Sequence, residues 1–224
     1  MTTDEIPSML RRGERAPNFT LPAIDRDETV SLSDYRGKSA VLLGLFRGMY
    51  CPLCRRKIAQ MGLLRPKLLG LGVDALAIVA SKVEHARLYF RYHPTPVRLA
   101  SDPEMTVLRA FNVPKPPVTP QLLEKFRTTL VDPYGELVAP VPITQIAATL
   151  NQRDEYEMNA TDMEEHKQQW RWDLATQLMG RFLIDREGLV QWVDIEGAGE
   201  GLAGIGKLAT DDELFAAVRA LARS

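Results

Sequence analysis

The chain has 224 residues, 45% hydrophobic and 25% charged, with a formal net charge of −1. These are the proportions of a soluble globular protein, and the balanced charge gives no bulk attraction to nucleic acid or an anionic membrane. No apolar run approaches the ~20 residues of a membrane span. Met1 to Arg15 lacks the apolar centre of a signal peptide, so the expected compartment is the cytosol.

In chain order, Phe19-Thr20-Leu21 and Val30-Ser31-Leu32 are expected as short extended pieces around a charged turn at Asp25 to Glu28. Ala40 to Phe46 is short, continuous and apolar, the pattern of a buried strand. Arg47 to Tyr50 turns the chain. From Pro52 the apolar spacing changes, with Ile58, Met61, Leu64 and Leu68 about one helical turn apart, which predicts a helix over 52–70. Proline suits a first helical turn, where its missing N–H costs nothing. Pro66 is expected to kink or divide the helix. Asp74 to Ala80 is a second buried strand, and Lys82 to Tyr92 a helix with Val83, Ala86 and Phe90 on one face. Val97 to Ala100 is a third strand and Pro103 to Phe111 a further helix. This β-α-β-α-β rhythm implies a largely parallel sheet covered by helices.

The regularity lapses after Val113. Residues 114–120 hold four prolines and form a loop. Val131 to Val138 is expected as a turn between two extended pieces. Residues 154–172 are strongly polar but end on Trp170 and Trp172, which are expected to pack this segment onto the core. Arg181 to Val193 is a hairpin turning around Asp185 to Gly188. Gly197 to Gly206 is glycine-rich, but it follows a hairpin and opens no βαβ helix, so it is expected as a flexible loop and not a nucleotide loop. Asp211 to Ala222 closes the chain as a helix capped by Thr210 or Asp211.

The two cysteines, Cys51 and Cys54, fall between the first strong strand and the first strong helix. In the cytosol a closely spaced pair is redox-active or metal-binding more often than structural. Cys51 would sit at the helix N-terminus, where backbone N–H groups and the macrodipole favour an anion. Arg47, Arg55, Arg56 and Lys57 add positive charge, so Cys51 is expected below the ~8.5 of a free thiol. Cys54, one turn in, is more covered. Cys51 therefore attacks, and Cys54 resolves the mixed disulfide or sulfenic acid. The rival is a metal half-site, but structural zinc needs four ligands, and His85, His93 and His166 show no paired-ligand spacing. The site is expected to hold no metal and no cofactor. Arg47 is assigned to stabilising the thiolate or a peroxide oxygen, and Tyr50 to the pocket mouth or packing. His85 and His93 are expected at the surface.

Gly13-Glu14-Arg15-Ala16-Pro17-Asn18-Phe19-Thr20-Leu21-Pro22 resembles the opening of peroxiredoxins and related thioredoxin-fold proteins. Leu32 to Lys38 is similar to the turn before their first core strand. Phe46 to Cys54 resembles their aromatic-Arg-Gly-x-aromatic-Cys-Pro-x-Cys site, and Phe182 to Gly188 their late strand and turn. These belong to the alkyl hydroperoxide reductase/thiol-specific antioxidant (AhpC/TSA) superfamily. The resemblance implies an α/β, thioredoxin-like fold: a central mixed sheet flanked by helices, with a long insertion at 114–177 before the last hairpin and 1–224 as one domain. It implies a pocket around Cys51 in which Pro52, Tyr50, Met179 and Arg181 take part, Arg181 as a charge near the thiolate.

The chain departs from the family pattern at three places. Gly44 and Gly48 stand where peroxidatic sites carry a proline and a hydroxyl residue. Met179 stands where thioredoxin-like folds carry a cis-proline facing the cysteines. Residues 114–177 are longer than the usual connection. Three activities follow. The leading one is a peroxiredoxin-like enzyme reducing hydroperoxides, re-reduced by a thioredoxin- or glutathione-type donor. The second is a thioredoxin-like disulfide reductase, and the third a non-catalytic redox-sensing or interaction module. The insertion, which is too long for a plain connection, is expected as an ordered cap over the pocket or as the contact of a homodimer.

Overall fold

The computed structural model describes residues 10–171 and 176–221. Thr20–Pro22 (β1) and Thr29–Ser31 (β2) pair antiparallel ahead of the core. Ala40–Phe46 (β3), Pro52–Leu69 (α1), Val73–Val79 (β4), Val83–Tyr92 (α2), Arg98–Ser101 (β5) and Thr106–Ala110 (α3) follow the expected alternation. The insertion adds Pro120–Thr128 (α4), Leu130–Val131 (β6), Val141–Pro142 (β7), Ile143–Arg153 (α5) and Ala160–Arg171 (α6). Gly180–Ile184 (β8), Val190–Ile195 (β9) and Asp211–Leu221 (α7) close the chain.

The main sheet has the order β5-β4-β3-β8-β9. β3 runs parallel to β4 from Ala40↔Val73 to Phe46↔Val79, and antiparallel to β8 from Val41↔Ile184 to Leu45↔Gly180. The sheet is mixed because the last two strands are joined by a hairpin, whereas the first three are joined by helical crossovers. Every residue of β3 is buried. Its alternate side chains feed two layers: Leu42 and Phe46 pack with α1, α5 and α7, while Val41, Leu43 and Leu45 pack with α3, Phe19 and Phe111. A strand covered on both faces needs no polar alternation, which is why β3 is a continuous apolar run.

Three expectations change. α1 continues through Pro66, which lies in its exposed last turn and does not divide it. α3 starts at Thr106 and not at Pro103, because the Asp102 carboxylate accepts from Thr106 Oγ1 at 2.8 Å and Val107 N at 2.8 Å and so sets the first turn. The glycine-rich stretch is an ordered loop whose Gly204, Ile205 and Gly206 are buried. The closing helix is capped by Thr210, whose Oγ1 accepts from Glu213 N at 3.3 Å while Glu213 Oε2 accepts from Thr210 N at 2.7 Å.

Part of the insertion packs against the core. Ile143, Ile146 and Leu150 lie on one face of α5 and are buried in the same core layer as Cys51 and Cys54. The two ends of the insertion meet at Gln177, whose Nε2 donates to Val113 O at 3.3 Å and Pro114 O at 3.2 Å. The side chain of Trp170, and Trp172 entirely, lie outside the described residues. Among the described residues no helix is long and apolar enough to cross a membrane.

Leu150 is 1% exposed. Leu150→Ala is expected to cost about 2–4 kcal/mol of global stability, measured by urea unfolding followed at both far-UV dichroism and Cys51 alkylation. A loss below about 0.5 kcal/mol, the range of a surface substitution, would mean that the insertion does not share the core's cooperativity.

Candidate active site

Cys51 ends the loop after β3 with extended backbone (φ −86°, ψ 109°) and forms the N-cap of α1, with Pro52 at the first helical position. Cys54 follows one turn inside the helix. Both are free thiols, Cys51 at 7% exposure and Cys54 at 0%. The loop is held from two sides. Met49 N donates to Ser81 Oγ at 2.9 Å, and Arg55 Nη1 donates to Met49 O at 2.6 Å. Ser81 is fixed in turn by Ser101 Oγ, which donates to its carbonyl at 2.6 Å.

This packing explains two departures. A Cβ at Gly48 would lie 2.8 Å from the Tyr50 ring and 3.0 Å from Ser81 Oγ. There is no room for the hydroxyl residue of the family pattern, and the hydroxyl at this loop comes from Ser81. A Cβ at Gly44 would lie 2.4 Å from the Phe46 ring and 2.9 Å from Met61 sulfur. Half-buried Tyr50 thus fills the space above Gly48 and packs against the core around the cysteines.

The two thiols differ in charge. Burial pushes Cys51 up, but the Cys54 thiol hydrogen-bonded to it, the Arg47 charge and the Cys54 backbone N–H outweigh burial and bring it from the ordinary 9.0 to about 6. Cys54 moves well above its ordinary value, through burial and through the thiolate it donates to. Cys51 is therefore the thiol favoured as a thiolate and Cys54 the protonated neighbour. Of the four cations expected around Cys51, Arg47 lowers it most. Arg56 is neutralised by Glu136 and Asp154, Arg55 reaches Asn151 Oδ1 at 2.6 Å, and Lys57 lies over the Tyr134 ring at 5.3 Å.

Arg47 is buried at 8% exposure. Its Nη1 donates to Gln177 O at 2.9 Å and its Nη2 to Glu196 Oε1 at 3.1 Å. Its Nε is buried and has no hydrogen-bond partner among the described residues. Glu196, at the end of β9, is 1% exposed. It also accepts from Gly206 N at 2.7 Å and from Met179 N at 3.1 Å. Sequence reasoning missed Glu196. A signal was present: Asp194 and Glu196 are two acids at i and i+2, on one face of a hairpin strand otherwise rich in apolar residues.

Met179 is fully buried in the cysteine layer, and no cis peptide bond occurs among the described residues. Its N–H goes to Glu196, and its carbonyl accepts from Glu196 N at 3.0 Å. Arg181 is not gathered into this cluster. Its Nη2 donates to Asp194 Oδ2 at 2.6 Å and to Ala209 O at 2.7 Å, and its guanidinium lies 5.7 Å from the Trp192 ring centre.

The insertion closes over the site. Tyr134 packs against the cysteine layer with its hydroxyl 3.5 Å from Leu53 O. Its phenol is pushed up first by burial and then by the Cys51 charge. Gly206 lies between the insertion and α1, where a Cβ would be 2.7 Å from Pro133 and 2.8 Å from Leu53. His85, expected at the surface, is 5% exposed, because Asp162 of α6 reaches its Nε2 at 2.7 Å. His93 is exposed and stacks on Tyr89 with ring centres 4.5 Å apart. Among the described residues no group of three or more His, Cys, Asp or Glu side chains converges as a metal site would require.

A model of the AhpC/TSA family matches residues 12–139. The thiol-disulfide oxidoreductase ResA of Halalkalibacterium halodurans is 29% identical over 133 residues, covering 58% of this chain and 68% of that protein. Among solved structures, peroxidoxin BcpB from Mycobacterium tuberculosis superposes with a TM-score of 0.57 at 15% identity, over 95% of this chain and 98% of its own. A putative thiol:disulfide interchange protein DsbE from Chlorobium tepidum gives 0.54 at 19%, over 96% and 99%. At these identities the structural matches speak for a thioredoxin-like fold.

Cys51 alkylation should rise with pH through about 6 and then level off, since its depressed value makes the thiolate the dominant form above that point. Arg47→Met should move the midpoint upward. It should also cost about 3–5 kcal/mol, because Glu196 is left buried without its counter-ion. The double variant Arg47→Met/Glu196→Gln should regain stability without regaining the low midpoint. A midpoint unmoved in both variants would remove Arg47 from the chemistry.

Proposed function

The chain belongs to the AhpC/TSA family, and on that premise we propose that it is a thiol oxidoreductase that reduces hydroperoxides through Cys51 and Cys54. The observation that carries this reading is a thiolate at a helix N-cap that only a small oxidant can reach. Cys51 is anionic at neutral pH but 7% exposed, beneath Tyr134 and α5. In the first step its sulfur attacks one peroxide oxygen and the O–O bond breaks. Cys51 becomes a sulfenic acid, and the departing alkoxide takes a proton from water to leave as an alcohol. Arg47 holds the thiolate, and its Nε is the donor left over for a peroxide oxygen. In the second step Cys54 loses its proton and attacks the Cys51 sulfur. The S–O bond breaks, water leaves and the Cys51–Cys54 disulfide forms. Two equivalents of thiol then return the pair to the reduced state. The same cover favours a small glutathione-type thiol over a protein donor.

The 29% identical relative, named as a thiol-disulfide oxidoreductase, supports a second reading, reduction of protein disulfides. Two features weigh against it. Both backbone groups of Met179 are closed onto Glu196, so they are not available to pair with an extended substrate, and the nucleophile is covered.

Reduced protein is expected to consume hydrogen peroxide or an organic hydroperoxide in stopped flow and to lose two hydrogens by intact mass, with no covalent dimer. Cys51→Ser should abolish consumption. Cys54→Ser should allow a single turnover that ends in a sulfenic acid trapped by dimedone. Insulin reduction without peroxide consumption would replace this reading with the second; neither activity would leave the non-catalytic module.

A further inference from the structure

Away from the thiols, a cavity of about 720 Å³ opens beside β5. Five arginines line it: Arg26 from the β1–β2 connection, Arg65 from α1, Arg87 and Arg91 from α2, and Arg98 from β5. The carboxylate in its wall is Asp25. The cavity has a fixed frame, because Ile24 N donates to Leu99 O at 3.0 Å and Arg87 Nε to Ile24 O at 2.8 Å.

Like charges brought together around one space repel unless something compensates them. Three of the five are compensated locally. Arg26 pairs with Asp25 at 2.8 Å, Arg65 with Asp74 at 2.8 Å, and Arg87 with Asp27 at 2.9 Å. The last pair is weak, since the Asp27 side chain is 92% exposed. Among the described residues Arg91 has no carboxylate within ion-pair distance, while Arg98 is engaged by the Tyr35 hydroxyl and by the charge of Asp25. Arg87 and Arg91 are also one turn apart on one face of α2, a like-charge spacing that destabilises a helix.

We propose that this cavity binds a phosphorylated small molecule, with a phosphate between Arg87 and Arg91 and the organic portion against Phe90. A phosphate monoester carries close to two negative charges at neutral pH, which matches the unpaired Arg91 and the weakly paired Arg87. Its oxygens accept the paired N–H donors of an arginine fork. The volume lies in the ~300–1,000 Å³ range of small-molecule sites, larger than a lone phosphate ion requires. No residue of this cavity belongs to the thiol site, so the proposal stands independently of the peroxidase reading.

The test is titration calorimetry of the reduced full-length protein with ADP and with inorganic pyrophosphate, at about 50 mM salt where charge is weakly screened. Citrate serves as a carboxylate control of similar charge. ADP should bind, and Arg91→Glu should weaken it by about tenfold or more, while Cys51 alkylation is unchanged. Arg91 is exposed, so this variant keeps its fold. Absence of heat with both phosphates up to about 1 mM, the weak end of specific binding, would overturn the proposal. So would equal affinity in wild type and Arg91→Glu, or citrate binding as tightly as ADP.

Discussion

The Glu196 carboxylate accepts hydrogen bonds from Arg47, Met179 N and Gly206 N while 1% exposed. A carboxylate this deep is tolerated only when its lone pairs are occupied and a counter-charge is close. Arg47 is the counter-charge, and Arg47 also joins the Cys54 thiol in lowering Cys51. The pair therefore joins a stability requirement to a reactivity requirement. Glu196 by itself disfavours the thiolate. Its contribution to the chemistry is positional, since it fixes the guanidinium that more than offsets it. The same carboxylate binds the backbone before β8 and the glycine loop, so three segments converge on it.

That convergence sets what reaches the sulfur. Gly206 brings its loop against Pro133 and Leu53. Tyr134 then lies over the first turn of α1, and α5 buries Ile143, Ile146 and Leu150 beside the cysteines. Arg55, stacked 3.7 Å from the Tyr156 ring centre, and His85, bound by Asp162, fasten the rest of the insertion to the core. Covering a thiolate removes water that would stabilise it. The low value of Cys51 therefore depends on replacing that water with fixed partners: the Cys54 thiol, Arg47 and the start of α1.

The departures from the family pattern have steric causes. Gly48 is required because Tyr50 and Ser81 occupy the space a side chain would take, and Gly44 because Phe46 and Met61 do. Met179 takes the ordinary trans bond of a non-proline residue, and its amide holds Glu196.

The strands β3, β4 and β5, the start of α1 at Pro52 and the β8–β9 hairpin are all legible from local pattern, because continuous apolar runs and a switch of period arise within a few residues of chain. The order of acidity of Cys51 and Cys54 is legible for the same reason: a helix N-terminus is a local object. α5 escapes notice although Ile143, Ile146 and Leu150 carry a helical spacing, because the surrounding prolines and polar residues mask it. Burial and charge pairing are not local. Arg47 and Glu196 are 149 residues apart in the chain, and His85 looks like a surface residue until Asp162 is laid against it. The sequence alone determined which cysteine stands at the start of the helix. Only the tertiary structure decided which cation stabilises it, which carboxylate holds that cation and what covers the sulfur, because those energies come from desolvating groups that meet only when the chain has folded.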